Sequence, residues 1–154
     1  MGKDDWKNNL RGAFDSIDIL ERCKVETVEN FKQFSEFIAE PAFEALAEEL
    51  KEYGIRAKYW ILKGKSVCLR FHFRRSRVDN FQYMISLPRN SVEMKLRLQI
   101  RGRTTPKSSL KEKELPFMEK VPPDRVMKIT KEELIEDIIG QYKYFILEAM
   151  ASAD

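Results

Sequence analysis

Residues 55–73 read IRAKYWIL, then KGK, then SVCLRFHF, and this stretch decides the fold. On both sides of the KGK loop (63–65), apolar side chains alternate with polar ones, which is the period of two expected of a half-buried β-strand. A three-residue loop containing Gly is a common hairpin connection. Leaving that loop unpaired sets the following residues opposite one another: Ile61 and Val67, Tyr59 and Leu69, and Ala57 and Phe71. The stretch therefore predicts an antiparallel hairpin with one apolar face.

Two further segments with the same alternation follow the hairpin. They read FQYMISL (81–87) and VEMKLRLQI (92–100). Opposite residues in an antiparallel pair share a face, so a slip of one residue would expose every apolar side chain. The register that avoids this pairs Phe73 with Phe81, Phe71 with Tyr83, Leu87 with Val92, Ile85 with Met94, and Tyr83 with Leu96. The sequence thus predicts a four-stranded antiparallel meander within residues 55–101.

The same registers predict that cationic side chains gather on the other face of this sheet. The predicted rows across the strands are Arg56, His72, Gln82 and Arg97; Lys58, Arg70, Met84 and Lys95; and Trp60, Cys68, Ser86 and Glu93. Lys and Arg neutralise phosphates, and aromatic rings stack on bases. The predicted polyanion-binding residues are therefore Arg56, Lys58, Trp60, Arg70, His72, Arg74, Lys95 and Arg97.

Helices are predicted before the sheet, over residues 1–53. Apolar side chains at steps of three and four indicate one helix near residues 4–21 and another that starts after Thr27. Pro41 lacks the backbone N–H that a helix interior needs, so the second helix either ends near that residue or kinks there. Gly54 is a natural stop for its continuation. We expect these helices to be buried along a wide face.

The sheet is followed by a long connection and one more helix. Residues 102–128 contain four prolines and no clean period, which predicts an irregular segment. The sequence TKEE (130–133) matches a helix-capping box and starts a broad apolar stripe, so a helix is predicted over 130–152. We therefore predict a single α+β domain over residues 1–154, with two layers and the helices packed on the apolar face of the sheet.

Charge is distributed unevenly along the chain. The sequence has 28 Lys and Arg against 25 Asp and Glu, for a net charge of +3. Residues 1–52 hold 7 basic and 13 acidic side chains, residues 53–113 hold 16 and 3, and residues 114–154 hold 5 and 9. The predicted sheet is thus strongly basic, and the predicted helices are acidic.

Composition and short motifs exclude several classes of function. With 154 residues and 43% hydrophobic positions, the chain is large and apolar enough to fold without disulfides. No apolar run is long enough to span a membrane, and the first residues lack an apolar signal region, so we expect a cytoplasmic protein with no membrane role. Cys23 and Cys68 have no CxxC spacing, and no nucleotide-binding loop or HExxH motif occurs. We therefore expect no cofactor.

Three groups of polar residues resemble catalytic or metal sites. The triplet EMK (93–95) fits the (D/E)xK element of PD-(D/E)xK nucleases, but the predicted register leaves Asp79 about 23 Å away. His72 is the only histidine, and Cys68 lies about 13 Å from it along the strand. The acidic residues within 132–137 fit the dipole of a first helical turn. No catalytic or metal-binding residue is predicted, and the sequence favours a non-enzymatic protein.

Three functions remain compatible with these patterns. The leading hypothesis is a binding or adaptor protein that holds nucleic acid or another polyanion on the basic sheet face. The alternative is a homo-oligomer, in which the acidic helices of one copy neutralise the basic strip of another. The third is an enzyme or carrier with a small-ligand pocket between the sheet and the helices, where aromatic side chains are abundant.

Overall fold

The structure, a computed structural model, describes residues 4–73, 80–103 and 109–151. It consists of a long helical segment, five strands and a second long helix, which confirms the predicted α+β class. The helices are α1 (Asp5–Phe34), α2 (Glu40–Leu50) and α3 (Lys131–Ala151), with a π-helical turn at Ser35–Ala39 and 3₁₀ turns at Lys51–Tyr53 and Pro123–Lys128. The strands are β1 (Ile55–Leu62), β2 (Ser66–Phe73), β3 (Asn80–Ser86), β4 (Arg97–Arg103) and β5 (Lys111–Pro116).

The N-terminal segment is one continuous helix rather than the separate helices predicted near 4–21 and after Thr27. Instead of ending at Pro41, the chain widens into the π-helical turn, where the Glu40 N–H donates to the carbonyl of Ser35. Such a turn is a known way to insert a local change of pitch without breaking a helix. The Ser35 hydroxyl bonds the carbonyl of Phe31 at 2.8 Å. The predicted stop is correct, because Gly54 adopts a left-handed conformation with φ of 71°.

The sheet is an antiparallel meander in the order β1-β2-β3-β4-β5, so the predicted number of four strands is wrong. The additional strand β5 lies within the segment 102–128 that was predicted to be irregular. Its sequence, KEKELP, has no apolar alternation, because only Leu115 is even partly buried. Charged side chains are typical of an edge strand, where they discourage pairing with another chain. The period-two criterion therefore missed β5.

The predicted register is correct for the first hairpin and shifted for the other two. β1 and β2 pair as predicted, with Tyr59 opposite Leu69. Phe71 lies opposite Phe81 instead of Tyr83, a shift of two residues. Ile85 lies opposite Leu98 instead of Met94, a shift of four, because β4 begins only at Arg97. Both shifts are even, so the apolar side chains keep their face.

Residues 87–96 form a longer connection than the four-residue loop predicted. Asn90 has a positive φ of 63°, and the Ser91 hydroxyl donates to the carbonyl of Pro88 at 2.6 Å. Met94 and Leu96 are buried, although they lie outside the sheet. Their apolar character continues the alternation of β4, which explains why the strand was predicted to start too early.

The core lies between the apolar face of the sheet and the helices. α3 begins at the predicted capping box, since the Glu133 N–H donates to Thr130 Oγ1 at 3.1 Å. Gly102 lets α3 approach closely, because a Cβ at that position would lie 2.4 Å from Phe145 Cζ. The largest completely buried side chains are Phe31, Phe34, Phe43, Phe71, Phe81 and Tyr83.

The first two-thirds of α1 does not take part in this core. Every residue from 5 to 22 is exposed, and the first buried side chain of the helix is Thr27. The prediction that this part of the helix is buried on a wide face is therefore wrong. Within the three described ranges, no helix is both long and apolar enough to cross a membrane.

Candidate polyanion-binding face

One face of the sheet points away from the described helices. α2 and α3 contact the opposite face, where the Tyr59 hydroxyl donates to Glu44 Oε1 at 2.7 Å and the Tyr83 hydroxyl donates to Asp137 Oδ2 at 2.5 Å. Side chains alternate between the two faces along each strand. The face away from the helices is called here the outer face.

The strand pairing places four rows of side chains on the outer face. These rows are Arg56, His72, Asn80 and Arg103; Lys58, Arg70, Gln82, Arg101 and Glu112; Trp60, Cys68, Met84, Gln99 and Glu114; and Leu62, Ser66, Ser86, Arg97 and Pro116. Neighbouring rows are two residues apart along each strand, or about 6.6 Å.

The part of the outer face on β1 and β2 agrees with the sequence prediction. Arg56 lies opposite His72, Lys58 opposite Arg70, and Trp60 beside Cys68. Arg56 and Lys58 are exposed, and Trp60 retains 46% of its accessible surface. These strands therefore bring five of the eight predicted residues into one patch, Arg56, Lys58, Trp60, Arg70 and His72.

Two of the other predicted residues lie elsewhere, because the register of β4 differs from the prediction. Lys95 belongs to the connection before β4, where its Nζ lies 3.4 Å from Glu93 Oε1. Arg97 is on the outer face, but three rows from Arg56, or about 20 Å along the strands. The remaining residue, Arg74, lies outside the described residues.

Two arginines of β4, Arg101 and Arg103, occupy the outer-face rows in which Lys95 and Arg97 were predicted, and the sequence analysis did not identify them. Arg101 shares a row with Lys58 and Arg70, and Arg103 shares a row with Arg56. Both continue the alternation of β4 past Ile100. The signal was present in the sequence, but Gly102 interrupts the apolar pattern, so the predicted strand ended too early.

Acidic side chains on β5 neutralise the far side of the outer face. The Arg101 Nε lies 2.5 Å from Glu112 Oε1, and the Gln99 side-chain amide donates to the same oxygen at 3.3 Å. By contrast, Arg56, Lys58 and Arg70 make no ion pair with any acidic residue in the described ranges. These cationic side chains of β1 and β2 thus have no carboxylate partner among the described residues.

Cys68 forms the floor of the patch. Its thiol is completely buried, and burial raises its pKa to about 12, although Arg70 and Arg101 act in the opposite direction. A neutral, buried thiol is inert at neutral pH. Trp60, Cys68 and Met84 form an apolar row directly beside the cationic row of Lys58 and Arg70.

The described residues were also compared with the metal, nuclease and small-ligand sites considered from the sequence. No cluster of three or more His, Cys, Asp or Glu side chains there is arranged to hold a metal ion. The nuclease-like residues Glu93 and Lys95 pair with each other outside the sheet.

A cleft of about 380 Å³ lies between β5 and α3, and Lys113 Nζ lies 4.7 Å above the Tyr144 ring that lines it. A shallower groove of about 680 Å³ runs between residues 88–97 and 116–126.

Comparison with known proteins finds no protein family, no curated protein and no solved structure that matches this chain.

Proposed function

We propose that this protein binds single-stranded nucleic acid on the β1–β2 part of its outer face. The observation that supports this proposal is the juxtaposition of Lys58 and Arg70 with the exposed ring of Trp60, on a face that the described helices leave uncovered. The cationic row meets phosphates, and the neighbouring apolar row receives bases.

The energetics of the bare sheet favour an anionic ligand. Like charges directly opposite each other, such as Lys58 and Arg70, destabilise a sheet by a few tenths to about 1 kcal/mol. No described carboxylate neutralises this pair. A phosphate between the two side chains relieves their repulsion and releases condensed counterions from the nucleic acid.

A sheet face that the described helices leave uncovered favours a single strand over a duplex. A single strand presents unstacked bases to a sheet surface, and stacking of one base on an aromatic ring is worth about 1–3 kcal/mol. Trp60 supplies such a ring beside the cationic row. Among the described residues, the patch has no helix or projecting ribbon to enter a major groove.

The first test measures the affinity for a labelled single-stranded oligonucleotide as a function of salt. Three to four phosphate contacts predict that log affinity falls with log salt at a slope of about −2 to −3. The double variant Lys58→Gln/Arg70→Gln should weaken binding at least tenfold and flatten this slope. The matched control, Lys128→Gln/Lys143→Gln, removes the same charge from two exposed residues away from the outer face and should bind as the unmodified chain does. Absence of binding at low salt refutes the proposal.

A second arm separates nucleic acid from other polyanions. Trp60→Ala should weaken oligonucleotide binding about fivefold or more, because it removes the stacking platform. The same change should leave binding of heparin, which has no bases, unaltered. Equal losses for both ligands, or tighter binding of heparin, would show that the face is a general polyanion site.

Self-association is a second candidate function, because residues 1–52 hold 13 acidic and 7 basic side chains and so complement the basic outer face. In the arrangement expected from charge alone, acidic helices of one copy cover the outer face of another. A concentration-dependent mass that Lys58→Gln/Arg70→Gln abolishes would support this arrangement over nucleic-acid binding.

A further inference from the structure

The N-terminal part of α1, residues 5–26, has no buried side chain, and all of its residues except Cys23 and Lys24 are exposed. Its 22 residues extend for about 33 Å. Trp6 is 61% exposed, Phe14 59% and Ile17 50%. Most helical stability in proteins comes from packing of an apolar face rather than from helix propensity. This segment therefore requires a surface to pack against.

Most large apolar side chains of this segment follow the heptad repeat of a coiled coil, whereas Phe14, Ile19 and Val25 lie at positions e, c and b. The side chains in the repeat recur at alternating steps of four and three, the spacing of positions a and d. The series continues into the core of the domain, where Phe31 and Phe34 are completely buried. In order, the a and d positions are Trp6, Leu10, Ala13, Ile17, Leu20, Lys24, Thr27, Phe31 and Phe34.

From this pattern we propose that residues 5–26 of α1 pair with the same residues of a second copy, as an antiparallel two-helix coiled coil. The proposal is independent of nucleic-acid binding, because these residues do not contribute to the outer face.

The charges in the repeat select the antiparallel direction. In a parallel pair, Lys24 would face Lys24 of the second copy at a core position, which brings two like charges together in an apolar seam. In an antiparallel pair, positions a and d face each other. Leu10 then meets Leu20 of the second copy, and Lys24 meets the Trp6 ring, where a cation–π contact is available. The e positions bring Lys7 beside Glu21, an attractive pair.

The area available is sufficient for a specific interface. Five large apolar side chains lie on the paired face, at roughly 100 Å² each, or about half the area of a buried aromatic side chain. Two copies then bury about 1,000 Å², the lower limit for a specific interface. These side chains are Trp6, Leu10, Phe14, Ile17 and Leu20.

The composition of the segment argues against a membrane surface as the occupant. Residues 5–26 hold five acidic and four basic side chains. Helices that lie on anionic membranes are rich in Lys and Arg on their polar face. A second copy satisfies both the apolar stripe and the mixed charges.

The principal test compares two exposed isoleucines on opposite sides of the helix. Ile17 is at position a of the seam, whereas Ile19 is at position c, and they are 50% and 58% exposed. Light scattering of the full chain should give a mass that rises with concentration towards twice 18.2 kDa. Ile17→Asp should raise the dissociation constant at least about tenfold and return the mass to that of one chain. Ile19→Asp should leave the dimer unchanged.

A cross-linking experiment tests the direction of the pair. In the antiparallel arrangement, Ser16 at position g lies beside Ser16 of the second copy. Ser16→Cys in a Cys23→Ser background should therefore form a covalent dimer under mild oxidation. Asp15→Cys in the same background, at the outer position f, should not.

Several results would overturn the proposal. They are a chain that is monomeric at every concentration, a dimer that survives Ile17→Asp, and equal cross-linking at positions 15 and 16. Monomers that sediment with vesicles of anionic phospholipid would assign the apolar stripe to a membrane surface instead.

Discussion

The hydroxyl of Tyr83 and the carboxyl of Asp137 join the centre of the sheet to α3. Tyr83 is completely buried, and its hydroxyl donates to Asp137 Oδ2 at 2.5 Å. Burial raises the pKa of Asp137 above its ordinary value near 3.8, although the hydrogen bond from Tyr83 lowers it. The pKa of Tyr83 is raised well above its ordinary value, chiefly by burial. The pair therefore holds a negative charge in a place that solvates it poorly.

Removing the Tyr83 hydroxyl should lower stability, because it leaves the Asp137 carboxylate without its hydrogen-bond donor. We expect Tyr83→Phe to lower the free energy of unfolding by about 1–3 kcal/mol, because the Asp137 carboxylate then lacks its partner. Urea unfolding measures the change. The control is Tyr59→Phe. The Tyr59 hydroxyl bonds the exposed Glu44 carboxylate, so its removal should lower the free energy of unfolding by less. Equal losses for the two variants would contradict this account of the buried pair.

The raised pKa of Asp137 also predicts a pH dependence of stability. The folded state binds this proton more readily than the unfolded state, so the contribution is fully present below the ordinary pKa near 3.8 and is lost as pH rises through the folded pKa. Relative to Asp137→Asn, the unmodified protein should therefore lose stability as the pH is raised above 3.8. Unfolding curves of both proteins across this range check the sign. Glu136→Gln, at an exposed neighbour on α3, should show no such difference.

At the scale of elements, the contact between β4 and α3 depends on Gly102. A Cβ at this position would meet Phe145 Cζ at 2.4 Å and the carbonyl oxygen of Asn80 at 2.6 Å. We expect Gly102→Ala to destabilise the protein by about 1–3 kcal/mol, because both the ring and the neighbouring strand must move. Phe145→Leu in the same chain should recover only part of the loss, since the backbone contact remains. Thermal unfolding measures both effects.

Gly140 provides the matched control for this prediction. It lies in α3, and a Cβ there meets no atom within 4 Å. Gly140→Ala should therefore stabilise the protein by about 0.5–1 kcal/mol through helix propensity alone. If both alanine variants changed stability in the same direction, the close approach at Gly102 would not be the cause.

The elements that could be predicted from the sequence are those with a strong local signal. The hairpin of β1 and β2 has a short glycine loop that fixes its register, and the Thr130 capping box fixes the start of α3. Alternation determines register only to within an even number of residues. For this reason the predicted pairings of β3 with β2 and of β4 with β3 were shifted by two and four residues. The strand β5 carries four charged residues in six positions, and its pairing depends on a neighbour rather than on its own pattern.

The same reasoning explains which residues of the candidate site could be predicted. Lys58, Arg70 and Trp60 follow from the one hairpin whose register is fixed locally. Lys95 was predicted on this face because its neighbours Met94 and Leu96 are apolar, as strand residues would be. Both are buried, but they lie in the connection before β4. The ion pair between Glu112 and Arg101 could not be predicted from the sequence, because it depends on strand β5, which the sequence analysis did not detect.

At the scale of the whole molecule, charge and apolar surface are separated in space. The basic middle of the sequence forms the sheet, and the acidic first third forms the helix that extends beyond the core. One chain therefore presents a cationic face and an apolar helix as distinct surfaces. A dimer joined through α1 would carry two such faces, which lets it hold two segments of one long strand and gain avidity.

The position of α3 in the chain has a consequence for synthesis. Leu134, Ile138 and Phe145 complete the core over β3 and β4, yet they are translated after all five strands. Before these residues are added, Phe71 and Phe81 lack the ring contacts that Tyr142 and Phe145 of α3 make with them. A nascent chain in that state exposes apolar surface, which makes folding intermediates prone to aggregation until α3 packs on the sheet.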